Sequence, residues 1–324
     1  MKKILVSLLV AAWFTLPGQG EETVPEAKVL VRVADEAGQP VVGAKVEVSF
    51  GYETPRRLGE GWGTRFASQW RVGTTDAKGE FSAEGQTSPA FGVRANKDGY
   101  YQCDGGGTES RLLRNVLLNR WEPWPLSMEL VLKQKRHPVP MCYRQIFPGT
   151  LEVPMLNQSV GLDLEAGDWV APHGKGKVVD FYVTLCPSLE GEQRCNSCQL
   201  AFPNSQDGIQ AYEHPKEDPS VYRWPFEAPE AGYASRMSMG AWIQKARTDY
   251  PGCWSDVSRV QKTGKFIFRT RSVVDKNGKL VSACYGKLQQ FEFSEKAVSL
   301  TYWFNPDRTR NLEEDPKHNL FAKP

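Results

Sequence analysis

The chain lacks an excess of charge of either sign. Its 324 residues contain 40 lysines and arginines against 38 aspartates and glutamates. Two of those lysines, Lys2 and Lys3, belong to a predicted export signal, so the remaining residues carry 38 charges of each sign. Binding to nucleic acid or to an anionic membrane surface depends largely on clustered positive charge. The balance therefore argues against a nucleic-acid partner and against a polybasic membrane-surface binder.

The chain also lacks a long hydrophobic run and the common catalytic motifs. Its longest apolar run, residues 4–16, has about 13 residues, whereas a bilayer-spanning helix needs roughly 20. A serine-nucleophile elbow, an H-E-x-x-H zinc motif and a phosphate-binding loop do not occur. The sequence therefore predicts no cofactor and no bound metal.

Residues 1–20 have the three-part layout of a secretory signal peptide. Lys2 and Lys3 form a basic start, the apolar run follows, and Pro17–Gly20 supplies small residues for cleavage after Gly20. An uncleaved anchor is the alternative, which the short apolar run disfavours. We expect an exported protein, periplasmic or extracellular, without a membrane span after signal cleavage.

Seven cysteines in an exported chain predict disulfides. They are Cys103, Cys142, Cys186, Cys195, Cys198, Cys253 and Cys284. Because seven is odd, at least one thiol stays free or pairs outside the chain, and the spacing does not fix the connectivity. Cys284 is our candidate for the free thiol, since it lies in a predicted strand where a buried cysteine behaves as a small hydrophobe.

Residues 27–135 predict a β-sandwich. Short segments of alternating apolar and polar residues are separated by turns rich in glycine, proline and aspartate. The predicted strands are residues 29–34, 42–50, 74–81, 91–95 and 126–132. Two further segments, 52–71 and 103–124, are expected to be long loops.

Three motifs occur in order in this half of the chain. They are G-x-P-x-x-G-A-x-V at Gly38–Val46, T-T-D-x-x-G-x-F at Thr74–Phe81 and K-D-G-Y at Lys97–Tyr100. With them, this half resembles the carboxypeptidase regulatory-like domain, a family of transthyretin-like sandwiches. The resemblance implies a noncatalytic module for stability, spacing or interaction, of the kind attached to peptidases, outer-membrane receptors and adhesins.

Residues 149–324 predict a second antiparallel β-rich domain, sandwich-like, after a linker at 136–148. The predicted strands are residues 178–185, 266–274, 279–285, 287–293 and 298–304, with one short helix at 234–248. Asn277-Gly278 is a strong hairpin signal between two of these strands. This half resembles exported bacterial proteins that pair the same front domain with it and have no assigned activity, so the resemblance implies no mechanism. The shared segments are Gly161–Leu164, Gly167–Trp169, Pro172–Gly176 and Arg310–Pro316.

Two zinc sites are conceivable and both are disfavoured. His214 and Glu217 form an H-x-x-E with His318 far downstream, as in zinc carboxypeptidases. That family's catalytic domain precedes its sandwich, and too little chain remains here, so we judge that domain absent. A Cys₃His site from His214 and the Cys186–Cys198 cluster has irregular spacing, and export favours disulfides instead.

The candidate ligand-binding residues are Trp62, Trp70, Trp121, Trp124 and His173. The four tryptophans fall in the predicted loops of the first domain, where rings can stack on sugars or anchor a protein, although covering the sandwich ends is the plainer alternative. His173 lies between proline and glycine, a pattern that an ordinary surface turn also explains. We therefore predict a noncatalytic binding or structural module of the bacterial cell envelope, with a protein or glycan partner. The alternative is a secreted hydrolase, acting on peptide or glycan, with its site in the second domain. The oligomeric state is not predicted.

Overall fold

The computed structural model describes residues 24–54, 65–107, 112–190, 193–215, 218–247, 254–260 and 264–321. They form two compact units: the first comprises the described residues up to Gln134 together with Pro219–Val221, and the second comprises the other described residues, from Lys135 to Asp218 and from Tyr222 onward. The described residues form strands and turns without a helix, so none of them belongs to a membrane-spanning helix.

Two β-sheets make up the first unit. Its described strands are β1 (Glu26–Asp35), β2 (Lys45–Thr54), β3 (Arg65–Thr74), β4 (Glu80–Gln86), β5 (Phe91–Asn96), β6 (Cys103–Gly107), β7 (Leu113–Asn115), β8 (Arg120–Glu122) and β9 (Leu126–Leu132). One sheet has the order β4-β1-β8-β7, with β9 parallel to β1, and the other has the order β3-β2-β5-β6. Alternate apolar residues of both sheets, such as Val31 of β1 and Val48 of β2, form one core.

The second unit also consists of two sheets. Its described strands are β10 (Val139–Glu152), β11 (Ser159–Asp163), β12 (Asp168–Trp169), β13 (Phe181–Glu190), β14 (Gln193–Ala201), β15 (Gly208–Tyr212), β16 (Arg236–Arg247), β17 (Trp254–Val260), β18 (Lys265–Val274), β19 (Leu280–Phe293), β20 (Ala297–Asn305) and β21 (Glu314–Asn319). The sheet orders are β15-β18-β19-β20-β10-β21 and β12-β11-β13-β14-β16-β17. Neighbouring strands are antiparallel apart from β21, which is parallel to β10.

The side chains of β20 show how the core of the second unit is built. Val298, Leu300, Tyr302 and Phe304 belong to the core between the two sheets. Because successive side chains of a strand point to opposite faces, Trp303 points away from this core. The face that carries Trp303 is the one on which the candidate site lies.

The predicted all-β fold, a sandwich followed by a second antiparallel β-rich domain, is confirmed. The hairpin at Asn277-Gly278 joins β18 to β19, with Gly278 at a φ of 76° that suits glycine. The predicted strands 279–285 and 287–293 are one continuous strand, β19.

Several local predictions differ from the structure. The segment 103–124, expected to be a loop, contains strands β6, β7 and β8. The helix expected at 234–248 is wrong, because Arg236–Arg247 is strand β16, paired with β14 and β17. The segment 52–71, expected to be a loop, contains Arg65–Arg71 of β3, which pairs with β2. The segment 136–148, expected to be a linker, is strand β10 from Val139 onward, where it pairs with β20. In the last three cases the strand is stabilised by pairing with distant residues, which local sequence does not show.

The cysteines do not form the expected disulfides within the described part of the chain. Cys142, Cys186, Cys198 and Cys284 are free thiols, while Cys253 and the side chain of Cys195 lie outside the described residues. Burial raises the pKa of Cys142 and of Cys198 to about 12, so these thiols stay protonated and behave as small apolar side chains. Cys284 is indeed a buried free thiol, but it shares that state with Cys142 and Cys198.

A candidate aromatic binding site

Three neighbouring strands of the second unit place an aromatic and charged row on the face away from the core. In the antiparallel register, Trp303 of β20 lies opposite Tyr143 of β10 on one side and opposite Lys287 of β19 on the other. Directly opposed side chains on one face of a sheet are close enough to interact. The rings of Tyr143 and Trp303 accordingly stack, with centroids 5.0 Å apart.

A series of four rings extends from this pair. Trp224 meets Trp303 edge to face at 6.2 Å, and Tyr212 stacks on Trp224 at 5.7 Å. The order along the series is therefore Tyr212, Trp224, Trp303 and Tyr143. Trp224 is buried, whereas Tyr143 is 37% exposed, so the series ends at the protein surface.

Lys287 is a fully buried cation beneath these rings. Its ammonium pairs with the Glu314 carboxylate and lies 4.9 Å from the Trp303 centroid, 5.4 Å from that of Tyr222 and 5.6 Å from that of Trp224. Burial lowers the pKa of Lys287 to about 8, although the negative charge of Glu314 acts in the opposite direction. The rings and one carboxylate thus replace the water that a surface lysine would have.

A cavity of about 270 Å³ opens beside the exposed end of the ring series. It is lined by Met141, Tyr143, Trp303, Glu314, Asp315, Pro316 and Asn319. One wall comes from β10 and β20 and the other from β21, which lies beside β10.

Hydrogen bonds hold the polar wall of this cavity in place. The Asn319 amide accepts the Tyr143 N–H at 3.0 Å and donates to the Tyr143 carbonyl at 2.9 Å. Asp315 lies 2.6 Å from Nδ1 of His318. That hydrogen bond, with a second from the N–H of Lys317, holds the pKa of Asp315 below its usual range. The cavity therefore combines fixed aromatic surface with carboxylates that already have hydrogen-bond partners.

A second charged cluster of this unit lies between the sheets. A bulge in β18 gives Arg271 a φ of 53° and turns its guanidinium toward the core. There it contacts Asp180 at 2.8 Å and Asp163 at 3.0 Å, and it also pairs with Glu165. Burial alone would raise the pKa of Asp163, but N–H groups of the surrounding loop donate to it and lower the pKa. This cluster ties loops to the sheet.

The structure does not bring the predicted binding residues together. Trp62 lies outside the described residues, and Trp70 is a strand residue of β3, 56% exposed, rather than a loop residue. Trp124 packs against the cationic ends of Arg120 and Lys28. His173 is exposed in a turn, where its N–H donates to the carbonyl of Val170.

Two predicted residues line separate cavities of the first unit: Trp70 lines one of about 150 Å³, and Trp121 lines one of about 330 Å³. Arg114 lies over the Trp121 ring.

The residues considered for zinc do not converge within the described part of the chain. No group of three or more histidine, cysteine or acidic side chains there could hold a metal ion. His214 lies 3.6 Å from Asp218 and His318 pairs with Asp315, while Glu217 lies outside the described residues. Cys186 and Cys198 sit on β13 and β14 at positions that point to opposite faces of the sheet.

Sequence reasoning missed the aromatic site, although one signal for it exists. In β20 the outward positions are Ser299, Thr301, Trp303 and Asn305, so a tryptophan occupies a series that is otherwise polar. A tryptophan in an otherwise polar series indicates that another segment or a ligand covers this face of the strand. The partners of Trp303 are harder to predict. Tyr143 is more than 100 residues away in sequence, and Trp224 lies in a segment without a regular pattern.

Comparison with known proteins gives only remote similarities. No family model and no curated protein matches the chain. A candidate carbohydrate binding protein from Bacteroides uniformis aligns at 9% identity and a TM-score of 0.17, over 86% of this chain and 96% of that one. The major pilin subunit of Bacillus cereus aligns at 10% identity and a TM-score of 0.21, over 89% and 100%. These similarities are too weak to establish a shared fold or function.

Proposed function

We propose that the chain is a noncatalytic, exported binding protein of the bacterial cell envelope, and that the cavity beside Tyr143 and Trp303 binds a glycan. The first unit then serves as a carboxypeptidase regulatory-like sandwich that supports or spaces the binding unit. The predicted signal at residues 1–20, which lies outside the described residues, supports a periplasmic or extracellular location.

The stacked pair of Tyr143 and Trp303 is the observation that carries the proposal. Aromatic rings offer flat apolar surface, which suits the C–H faces of a sugar ring, while their stacking keeps them rigid before the ligand arrives. Glu314 and Asn319, at the polar wall, can exchange hydrogen bonds with hydroxyl groups. A volume of 270 Å³ is near the lower end of the roughly 300–1,000 Å³ of small-molecule pockets, so one or two sugar units fit best.

The state of the carboxylates favours binding over hydrolysis. Glycoside cleavage needs a pair of carboxyl groups, one of which keeps its proton through a raised pKa. At this cavity the pKa of Asp315 is lowered, and Glu314 is paired with the Lys287 ammonium. Both groups are therefore suited to accept hydrogen bonds from a ligand.

Screening the full chain on a glycan array, followed by calorimetric titration of each sugar that binds, tests the proposal. Tyr143→Ala removes the exposed ring and should weaken binding at least about tenfold, the effect of losing roughly 1.4 kcal/mol at a binding hot spot. Phe147→Ala is the matched control, because Phe147 is an exposed aromatic of the same strand, 59% accessible, that does not line the cavity. Equal affinity of both variants, or no bound glycan at millimolar concentration, would contradict the proposal.

A further inference from the structure

A hairpin of the first unit places a cation over an aromatic ring. In the register of β7 and β8, Arg114 lies directly opposite Trp121. The guanidinium carbon of Arg114 lies 5.7 Å from the centroid of the Trp121 ring. Both side chains therefore occupy the same face of the hairpin.

Hydrogen bonds fix the indole of Trp121. Its Nε1 donates to the carbonyl of Thr87 at 2.8 Å. Thr87 is fully buried, and its hydroxyl is in turn within hydrogen-bond distance of the carbonyls of Gly51 and Ala90. The ring is thus held rigidly at the edge of the sandwich and loses little freedom when it contacts a ligand.

A cavity of about 330 Å³ lies against this ring. It is lined by Val24, Pro25, Tyr52, Glu53, Thr87, Ser88, Pro89, Arg114 and Trp121. These residues all belong to the first unit, so the cavity is separate from the one beside Tyr143 and Trp303.

Arg114 has a buried donor without an acceptor among the described residues. Its Nη2 donates to the Asn119 side chain at 2.8 Å, but its Nη1 is buried and donates to no group there. By contrast, Arg32, Arg94 and Arg120 of the same unit each pair with a carboxylate. A buried N–H of a cation without an acceptor costs free energy, which an anionic ligand would recover.

We propose that this cavity binds an acidic sugar, a uronic acid unit of a glycan, whose carboxylate accepts from Nη1 of Arg114. The sugar ring then lies against the fixed indole of Trp121. Only the choice of a glycan rests on the proposed function; the anion site rests on Arg114 itself. Glu53 shares the cavity without pairing with Arg114, and its charge favours a singly charged carboxylate over a phosphate.

Titration of the full chain with an oligogalacturonate and with its uncharged methyl ester tests this site. We expect the acid to bind at least tenfold more tightly than the ester. Arg114→Gln should remove that difference, and Arg114→Lys should retain part of it because the charge remains. Arg120→Gln is the matched control, since Arg120 belongs to the same hairpin and lies over Trp124 but already pairs with Glu122.

Three further results decide between this site and its alternatives. Trp121→Phe keeps an apolar ring in place but removes its hydrogen bond to Thr87, and it should weaken the acid several-fold at a temperature where the variant is fully folded. If Tyr143→Ala abolishes binding of the acid while Arg114→Gln does not, the acid occupies the other cavity and the inference is overturned, although the proposed function stands. If acetate competes at the same concentration as the oligomer, a sugar is not what the site recognises.

Discussion

Arg271, whose side chain is 14% exposed, and Lys287, which is fully buried, are cations on opposite faces of the same β18–β19 hairpin, and they are compensated in different ways. Arg271 faces the core and contacts Asp163, Asp180 and Glu165. Lys287 faces away from the core and has Glu314 and three aromatic rings around it. Arg271 is therefore compensated by three carboxylates, whereas Lys287 is compensated by one paired carboxylate and by the faces of three aromatic rings.

The difference separates a structural cluster from a candidate site. The carboxylates around Arg271 also accept backbone N–H groups, as Asp180 does from Leu164, so the cluster fixes loops. The carboxylate that compensates Lys287 lines the cavity beside Tyr143 and Trp303. A ligand that engages Glu314 would therefore change the surroundings of Lys287.

Arg271→Met should produce the largest loss of stability. The substitution leaves Asp180, which is fully buried, without its cation, and breaking a buried pair in this way costs about 3–5 kcal/mol. Urea unfolding followed by tryptophan fluorescence measures the change. Arg310→Met is the matched control, because its partner Glu230 is 82% exposed, and it should cost less than about 1 kcal/mol. Similar losses for both variants would show that the Arg271 cluster does not hold the unit together.

The sequence predicts the strand and the hairpin that carry these two cations and their partners. Alternation in residues 298–304 correctly predicts β20, because one face of the strand is apolar and packs in the core. The Asn277-Gly278 pair predicts the hairpin between β18 and β19 from local turn chemistry alone. Structural elements that depend on a local sequence pattern could therefore be predicted.

The sequence does not predict the cavity beside Tyr143 and Trp303, because its residues meet only through pairing of strands that are distant in sequence. Tyr143 comes from a segment interpreted as linker, and it reaches Trp303 because β10 is the neighbour of β20. Glu314 and Asn319 come from β21, whose sequence EDPKHN has no strand pattern. Lys287 looks like a solvent-exposed lysine in sequence, and only the covering rings of Tyr222 and Trp224 make it buried.

Stability at alkaline pH should distinguish Lys287 from Arg271. Since burial lowers the pKa of Lys287 to about 8, against 10.5 in an unfolded chain, the unfolded state binds more protons between these values. Native stability should therefore rise with pH in that window, by on the order of 2 kcal/mol between pH 8 and 10 relative to Lys287→Met. Buried thiols and phenols act in the opposite direction, but they are common to both chains and cancel in the difference. If the difference in stability between the parent protein and Lys287→Met does not change with pH in this range, Lys287 is not buried as a cation.

Glu314→Gln should have the smallest effect on stability and connects that effect to the cavity. The amide oxygen can still accept a hydrogen bond from Lys287, so the loss is that of charge assistance, about 1 kcal/mol at pH 7. Without the negative charge the pKa of Lys287 should fall further, which moves the alkaline window to lower pH. Glu292→Gln is the control, because Glu292 is an exposed residue of β19 that does not line the cavity. If Glu314→Gln does not shift the pH range in which stability rises, Glu314 does not compensate the charge of Lys287. The contrast between Lys287 and Arg271 would then fail.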